Sequence, residues 1–155
     1  MTILGRIANY PINDVSTDVD APPPLDGRDG SPAGGPPMSP ERREKSRRAY
    51  PELLGGLLLE TTPERALALA EAVARAQPGW SVRRVDAAAG LLTAVAVTRL
   101  IRFRDDVTVR VRASGGRTRV DVRSRSRLGR DDLGANAGRI RRYLGALGGA
   151  AAARR

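Results

Sequence analysis

Two stretches in the second half of the chain alternate strictly. From Asp106 to Ala113 and from Thr118 to Arg127, valine or a small residue occupies every second position, with a charged or polar residue between. Period two is the pattern of a strand with one buried face. Ser114-Gly115-Gly116-Arg117 lies between the two stretches, and Gly-Gly suits a two-residue hairpin turn. That turn predicts a register. Val111 faces Val120, Val109 faces Val122 and Val107 faces Ser124 on an inner face. Arg112 faces Arg119, Arg110 faces Asp121, Thr108 faces Arg123 and Asp106 faces Arg125 on an outer one. A one-residue slip would turn valine outward, so the register should be firm.

Other elements follow from similar patterns. Leu91 to Thr98 is small and apolar on both faces, as a central strand would be. Ser81 to Val85 alternates weakly, and Leu57 to Leu59 reads as a short strand. Thr61-Thr62-Pro63-Glu64 is a helix start, with a hydroxyl cap and proline in the first turn. Leu67, Ala70, Val73 and Ala74 form its apolar stripe, and Pro78-Gly79 stops it. A last helix is predicted from about Asp131 to Leu147, burying Leu133, Ala137, Ile140, Leu144 and Leu147. Asp131 or Asp132 would cap its start. The chain therefore reads (β)αββββα: α+β, an antiparallel sheet with two helices packed on one face.

The remaining segments set the expected boundaries. Residues 1–49 read as a disordered Pro/Gly-rich arm, because Ala21 to Pro40 has too little apolar content to build a core. That arm is slightly acidic through Pro40, with five aspartates against two arginines. Glu41 to Arg48 reads as a solvated helical turn. One domain is expected over residues 50–147, and a flexible tail over 148–155.

Composition narrows the chemistry. The net charge is +10, carried by 26 arginines and the single lysine Lys45. Arginine use on this scale, beside abundant Ala, Gly and Pro, reads as compositional bias more than as selection for phosphate binding. There is no His and no Cys. Disulfides, thiolate nucleophiles, His-based triads and zinc sites with N/S ligands are thereby excluded. No run is long enough to span a bilayer.

Four stretches resemble a known family. They are NDVSTDVDAPP (Asn13 to Pro23), AYPEL (Ala49 to Leu53), DDVTVRVR (Asp105 to Arg112) and VDVRSRSRLGRDDLGANAGRIRRYL (Val120 to Leu144). Together they resemble the bacterial domain-of-unknown-function family 1499, over most of the chain. Asp26 to Arg48 is the least similar part. The resemblance implies a compact α+β module without an established reaction, often preceded by a membrane segment. One branch of the family carries an N-terminal Cys-containing motif that this chain lacks. As the chain stands the expected location is cytoplasmic. Envelope or membrane association is the alternative, if an anchor is encoded upstream of Met1.

Three constellations are candidates for function. The first is the junction of the last strand with the last helix: Ser124, Arg125, Ser126, Arg127, Gly129, Arg130, Asp132, Asn136 and Arg139. Ser124 and Ser126 put hydroxyls on the valine face, where each needs a partner that Asn136 can supply. The structural reading is a polar staple between helix and sheet. The functional reading is an anion pocket at the helix start. The second is a basic face formed by Arg110, Arg112, Arg119 and Arg123. It is expected to be solvated and salt-paired, although it could meet a nucleic-acid backbone, a partner protein or an anionic lipid surface. No aromatic residue on these strands offers a base-stacking platform. The third is the acidic pairs. Asp105 and Asp106 point to opposite faces of a strand, and Asp131 and Asp132 read as a helix start.

No catalytic residue, metal site or cofactor is expected from these patterns. The function expected is a non-catalytic binding or scaffolding module, with the envelope association that the family resemblance implies. Nucleic-acid binding through the arginine face is the first alternative. A small-molecule or anion site at the strand–helix junction is the second. The partner is open at this point.

Overall fold

The computed structural model describes residues 11–154. In chain order the elements are β1 (Asp14–Ser16), α1 (Pro40–Ala49), a short 3-10 turn (Pro51–Leu53), β2 (Leu57–Leu59), α2 (Pro63–Ala76), β3 (Trp80–Asp86), β4 (Leu91–Val97), β5 (Arg104–Ser114), β6 (Arg117–Ser126) and α3 (Ala135–Ala152). The strands form one antiparallel sheet in the order β1-β6-β5-β4-β3. β2 shares the β6 edge with β1 and pairs with the stretch next to the turn. The class is α+β, as the hydrophobic pattern predicts, with three helices where two were expected.

The β5–β6 hairpin has the predicted register at every pair, from Asp106↔Arg125 to Ser114↔Arg117. Its valines Val107, Val109, Val111, Val120 and Val122 are all buried. They meet Leu67, Ala70 and Ala74 of α2 and Ala137, Ile140 and Leu147 of α3 in one apolar cluster. Trp80 stacks on Tyr143 at 5.0 Å between ring centres. The Tyr143 hydroxyl donates to the Ala70 carbonyl at 2.8 Å, so the phenol ties α3 to α2. α2 is capped by Thr62, whose hydroxyl accepts from the Arg65 amide, with Pro63 in its first turn.

Two features depart from expectation. α3 begins at Ala135 and not at Asp131, and it continues to Ala152, so most of the expected tail is helical. Asp132 still caps it from outside, accepting from the amides of Gly134 and Asn136. Leu133 therefore precedes the helix and is 84% exposed, not buried.

The larger departure is the expected arm. Over residues 11–49 the chain is packed onto the sheet, and the boundary expected near residue 50 is absent. Residues 1–10 and Arg155, which fall within the expected arm and tail, lie outside the described residues. β1 adds to the free edge of β6. α1 is capped by Ser39 and starts with proline at its first turn. It packs beside β1, where the Ser16 amide donates to Ser46 Oγ at 3.1 Å. Between β1 and α1 the segment lies on the outer face of the sheet. Val19, Leu25 and Met38 are buried there, outside the main apolar cluster. Proline and glycine prevent a regular element in this stretch. They do not prevent docking when the sheet supplies the partners that water would otherwise supply.

A single glycine shows how closely the pieces approach. Gly56 has φ +60°, and a Cβ there would sit 2.1 Å from the Val120 carbonyl oxygen. Gly56→Ala should lower stability by more than about 2 kcal/mol, because left-handed strain adds to a backbone clash that a flexible side chain cannot relieve. Urea denaturation would measure it, and a loss below about 0.5 kcal/mol would mean β2 shifts freely along β6.

Candidate functional site

Alternation places Ser124 and Ser126 among valines, facing α3. Asn136 lies in the first turn of that helix and reaches both. Ser124 donates to Asn136 Oδ1 at 2.6 Å, and Asn136 Nδ2 donates to Ser126 Oγ at 2.9 Å and to Asp132 Oδ2 at 2.7 Å. Arg139, one turn on, donates to Ser124 Oγ and Asn136 Oδ1 at 3.1 and 2.9 Å. Its other nitrogen pairs with Asp105 Oδ2 at 2.7 Å. Ser124 and Asn136 are fully buried, and Asp105 and Arg139 nearly so. Burial pushes the Asp105 carboxyl above its ordinary range, against the pull of Arg139 and a hydrogen bond from Ser126.

Five of the nine expected junction residues thus converge: Ser124, Ser126, Asp132, Asn136 and Arg139. The others do not. Arg125 and Arg127 sit on the opposite face, near Asp14 and Asp106 respectively. Gly129 offers its carbonyl to Asn13 Nδ2, and Arg130 is exposed. Asp105 belongs to the network, although the sequence pattern places it only in an acidic pair with Asp106 and not at the junction. Its signal was its phase: it falls on the valine face of β5, opposite Ser126. Each polar side chain of the network finds a partner inside it.

Above this network the surface turns apolar. Leu100, Ile101 and Phe103 lie in the β4–β5 loop, and Leu128 and Leu133 in the β6–α3 loop. They surround a cleft of about 370 Å³ whose floor includes Asp105, Ser126 and Asp132. Among the described residues, eight large apolar side chains are exposed, and these five gather at one cleft. Scattered exposed leucines are ordinary, whereas five large apolar side chains at one cleft form an exposed apolar patch. Arg99, Arg102, Arg104 and Arg130 are exposed beside it. The sequence reading passed over Leu100-Ile101-Arg102-Phe103 because the run has neither helical nor strand period.

The basic face is not the solvated surface that alternation suggests. Arg123 is 1% exposed. It holds both oxygens of the buried Asp14 at 3.0 and 2.8 Å and donates to the carbonyls of Pro23 and Pro36. Arg110 and Arg112 converge on Asp18 at 3.1 and 2.9 Å. Arg119 pairs with Asp121, which also accepts from Thr17. Burial alone would raise the Asp18 carboxyl, but the Ala21 amide and the Arg112 guanidinium hold it below its ordinary value. The expected salt pairing is therefore made largely by aspartates of the N-terminal segment, which cover Arg123 and leave a nucleic-acid backbone no access to it. Among the described residues no group of three carboxylates is arranged to hold a metal ion.

The comparison with known families agrees with this architecture. A family model described as "Protein of unknown function (DUF1499)" matches residues 14–147. The chain belongs to the DUF1499 family. The match begins at β1, not at the expected domain start near residue 50, so the docked segment is part of the DUF1499 unit. It ends within α3, just past the helix residues of the buried network. No curated protein matches the chain. No helix among the described residues is long and apolar enough to cross a membrane.

Proposed function

We propose that this DUF1499 domain is a non-catalytic docking module that meets an anionic membrane surface through its apolar loop tips. The carrying observation is the convergence of Leu100, Ile101, Phe103, Leu128 and Leu133 at one end of the sheet, with exposed arginines beside them. Leu100 and Leu133 are 94% and 84% exposed, which suits insertion below the headgroups better than closure over a small ligand. Burying each such side chain is worth roughly 1.5–3 kcal/mol. Each nearby arginine adds about 1 kcal/mol against anionic lipid. The polar groups beneath the cleft are held by one another, which supports a structural and not a catalytic floor. This reading agrees with envelope association.

Co-sedimentation of the purified chain with vesicles tests it. Binding is expected on phosphatidylglycerol-containing vesicles and little on pure phosphatidylcholine, weakening with salt. The Leu100→Asp, Ile101→Asp double variant should lose at least about tenfold in partitioning, since two buried side chains are replaced by charges. Equal partitioning of the variant, or no binding to either vesicle, sinks the proposal.

A further inference from the structure

A second cleft, of about 420 Å³, opens on the outer face beside the docked N-terminal segment. Its chemistry differs from that of the apolar mouth. Asp26 is consumed: its oxygens accept from Arg84 at 3.0 and 2.8 Å and from Thr93 at 2.7 Å. Asp29 is held by Ser31, and Asp106 by Arg127. Arg28, Arg83 and Arg104 also line the cleft. Among the described residues, none of these three has a carboxylate partner, and all are exposed.

The backbone accounts for part of this arrangement. The β3–β4 register shifts between Val82 and Arg84. A bulge there inserts Arg83 and re-aims the residue that follows. Val82 stays against the core, while both Arg83 and Arg84 line the cleft. Arg84 clamps the segment, and Arg83 is left over.

The floor supplies an independent observation. Thr108 lies on β5 between Thr93 and Arg123 on the outer face. It lines the cleft and is completely buried. Its hydroxyl has no hydrogen-bond partner, although the equivalent hydroxyl of Thr93 is taken by Asp26. A buried hydroxyl left unpaired is destabilising, and such groups are uncommon in folded proteins.

We propose that this cleft binds the phosphate group of a phosphomonoester. Guanidinium forks from Arg28, Arg83 and Arg104 would meet its acceptor-only oxygens, and Thr108 would donate its free proton. The volume exceeds what a bare phosphate fills, which leaves space for the esterified group. That group could belong to a soluble ester or to a lipid headgroup of phosphatidic-acid type. The inference does not rest on the loop-tip docking proposed above.

Calorimetric titration of the full chain with glycerol 3-phosphate is the test, beside vesicles containing phosphatidic acid or phosphatidylglycerol. Sodium chloride at matched ionic strength controls for screening. Arg83→Ala and Thr108→Val should each weaken binding roughly tenfold, the effect of one charge-assisted hydrogen bond. Thr108→Val is isosteric and removes an unpaired hydroxyl, so its melting temperature should not fall, which keeps the test independent of folding. Saturable binding of glycerol 3-phosphate, lost in both variants, supports a soluble ester. Preference for phosphatidic acid that depends on Arg83 and Thr108, without affinity for glycerol 3-phosphate, supports the headgroup. Binding to neither, binding matched by sodium chloride, or binding unchanged in both variants overturns the site. The Leu100→Asp, Ile101→Asp variant should keep its affinity for glycerol 3-phosphate, which separates failure of this site from failure of membrane docking.

Discussion

Arg123→Met should destabilise the fold by about 3–5 kcal/mol, the usual cost of leaving one member of a buried ion pair alone. Methionine keeps the length of the aliphatic stem, so the loss isolates the guanidinium. Asp14 would remain buried without its two-pronged partner, and the carbonyls of Pro23 and Pro36 would lose a donor. Urea denaturation gives the magnitude. Limited proteolysis gives the place, with cleavage expected first between Asp26 and Met38. The Asp14→Asn, Arg123→Met double variant should recover part of the loss, because it removes the stranded charge. A change within about 0.5 kcal/mol would instead describe an exposed arginine and a free arm.

Arg139→Met should cost a similar amount, about 3–5 kcal/mol near neutral pH, and should depend on pH. Burial already raises the folded-state pKa of Asp105 above its ordinary value. The contribution of such a carboxyl is therefore fully present below its unfolded pKa and is lost as pH rises through the folded one. Removing Arg139 raises the folded pKa further, since the attraction at 2.7 Å disappears. The deficit of the variant relative to the parent should accordingly shrink as pH falls from about 8 toward the ordinary carboxylate range near 4. Urea midpoints across that range would show it. Adding Asp105→Asn to Arg139→Met should flatten the pH dependence, and an undiminished dependence would assign the effect to another group.

These two arginines also show what the sequence can and cannot disclose. The Arg139 network was partly legible. Hydroxyls at Ser124 and Ser126 interrupt a valine face, and only Asn136 was placed to answer them. The hairpin register was legible for the same local reason: Gly115-Gly116 fixes the turn, and alternation does the rest. Arg123 was misread because its partners are distant and irregular. Proline and glycine between Ala21 and Pro40 carry the composition of a disordered chain. The large apolar residues that the docked segment buries on the outer face, Val19, Leu25 and Met38, follow no period. One signal was present and unused. The segment is acidic and the outer strand face is basic, and Asp14 and Asp18 of the one meet Arg123, Arg110 and Arg112 of the other. Complementary charge across a long separation leaves no periodic trace, so only the sum over the two segments could have shown it. The apolar tips escaped for the opposite reason. They break patterning because they take no part in the core.

The seam between β1 and β6 has a temporal consequence. Asp14 and Arg123 are 109 residues apart in sequence, so the first strand of the sheet waits for the last. At a synthesis rate of about 5–20 residues per second, roughly 5–20 s pass between the emergence of one and the other. The β5–β6 hairpin and the α2–β3–β4 stretch close over short loops and can form as they emerge. The N-terminal segment cannot. It emerges before the strand it pairs with and docks only once β6 has been made, sealing a face that stays open, and arginine-rich, until then.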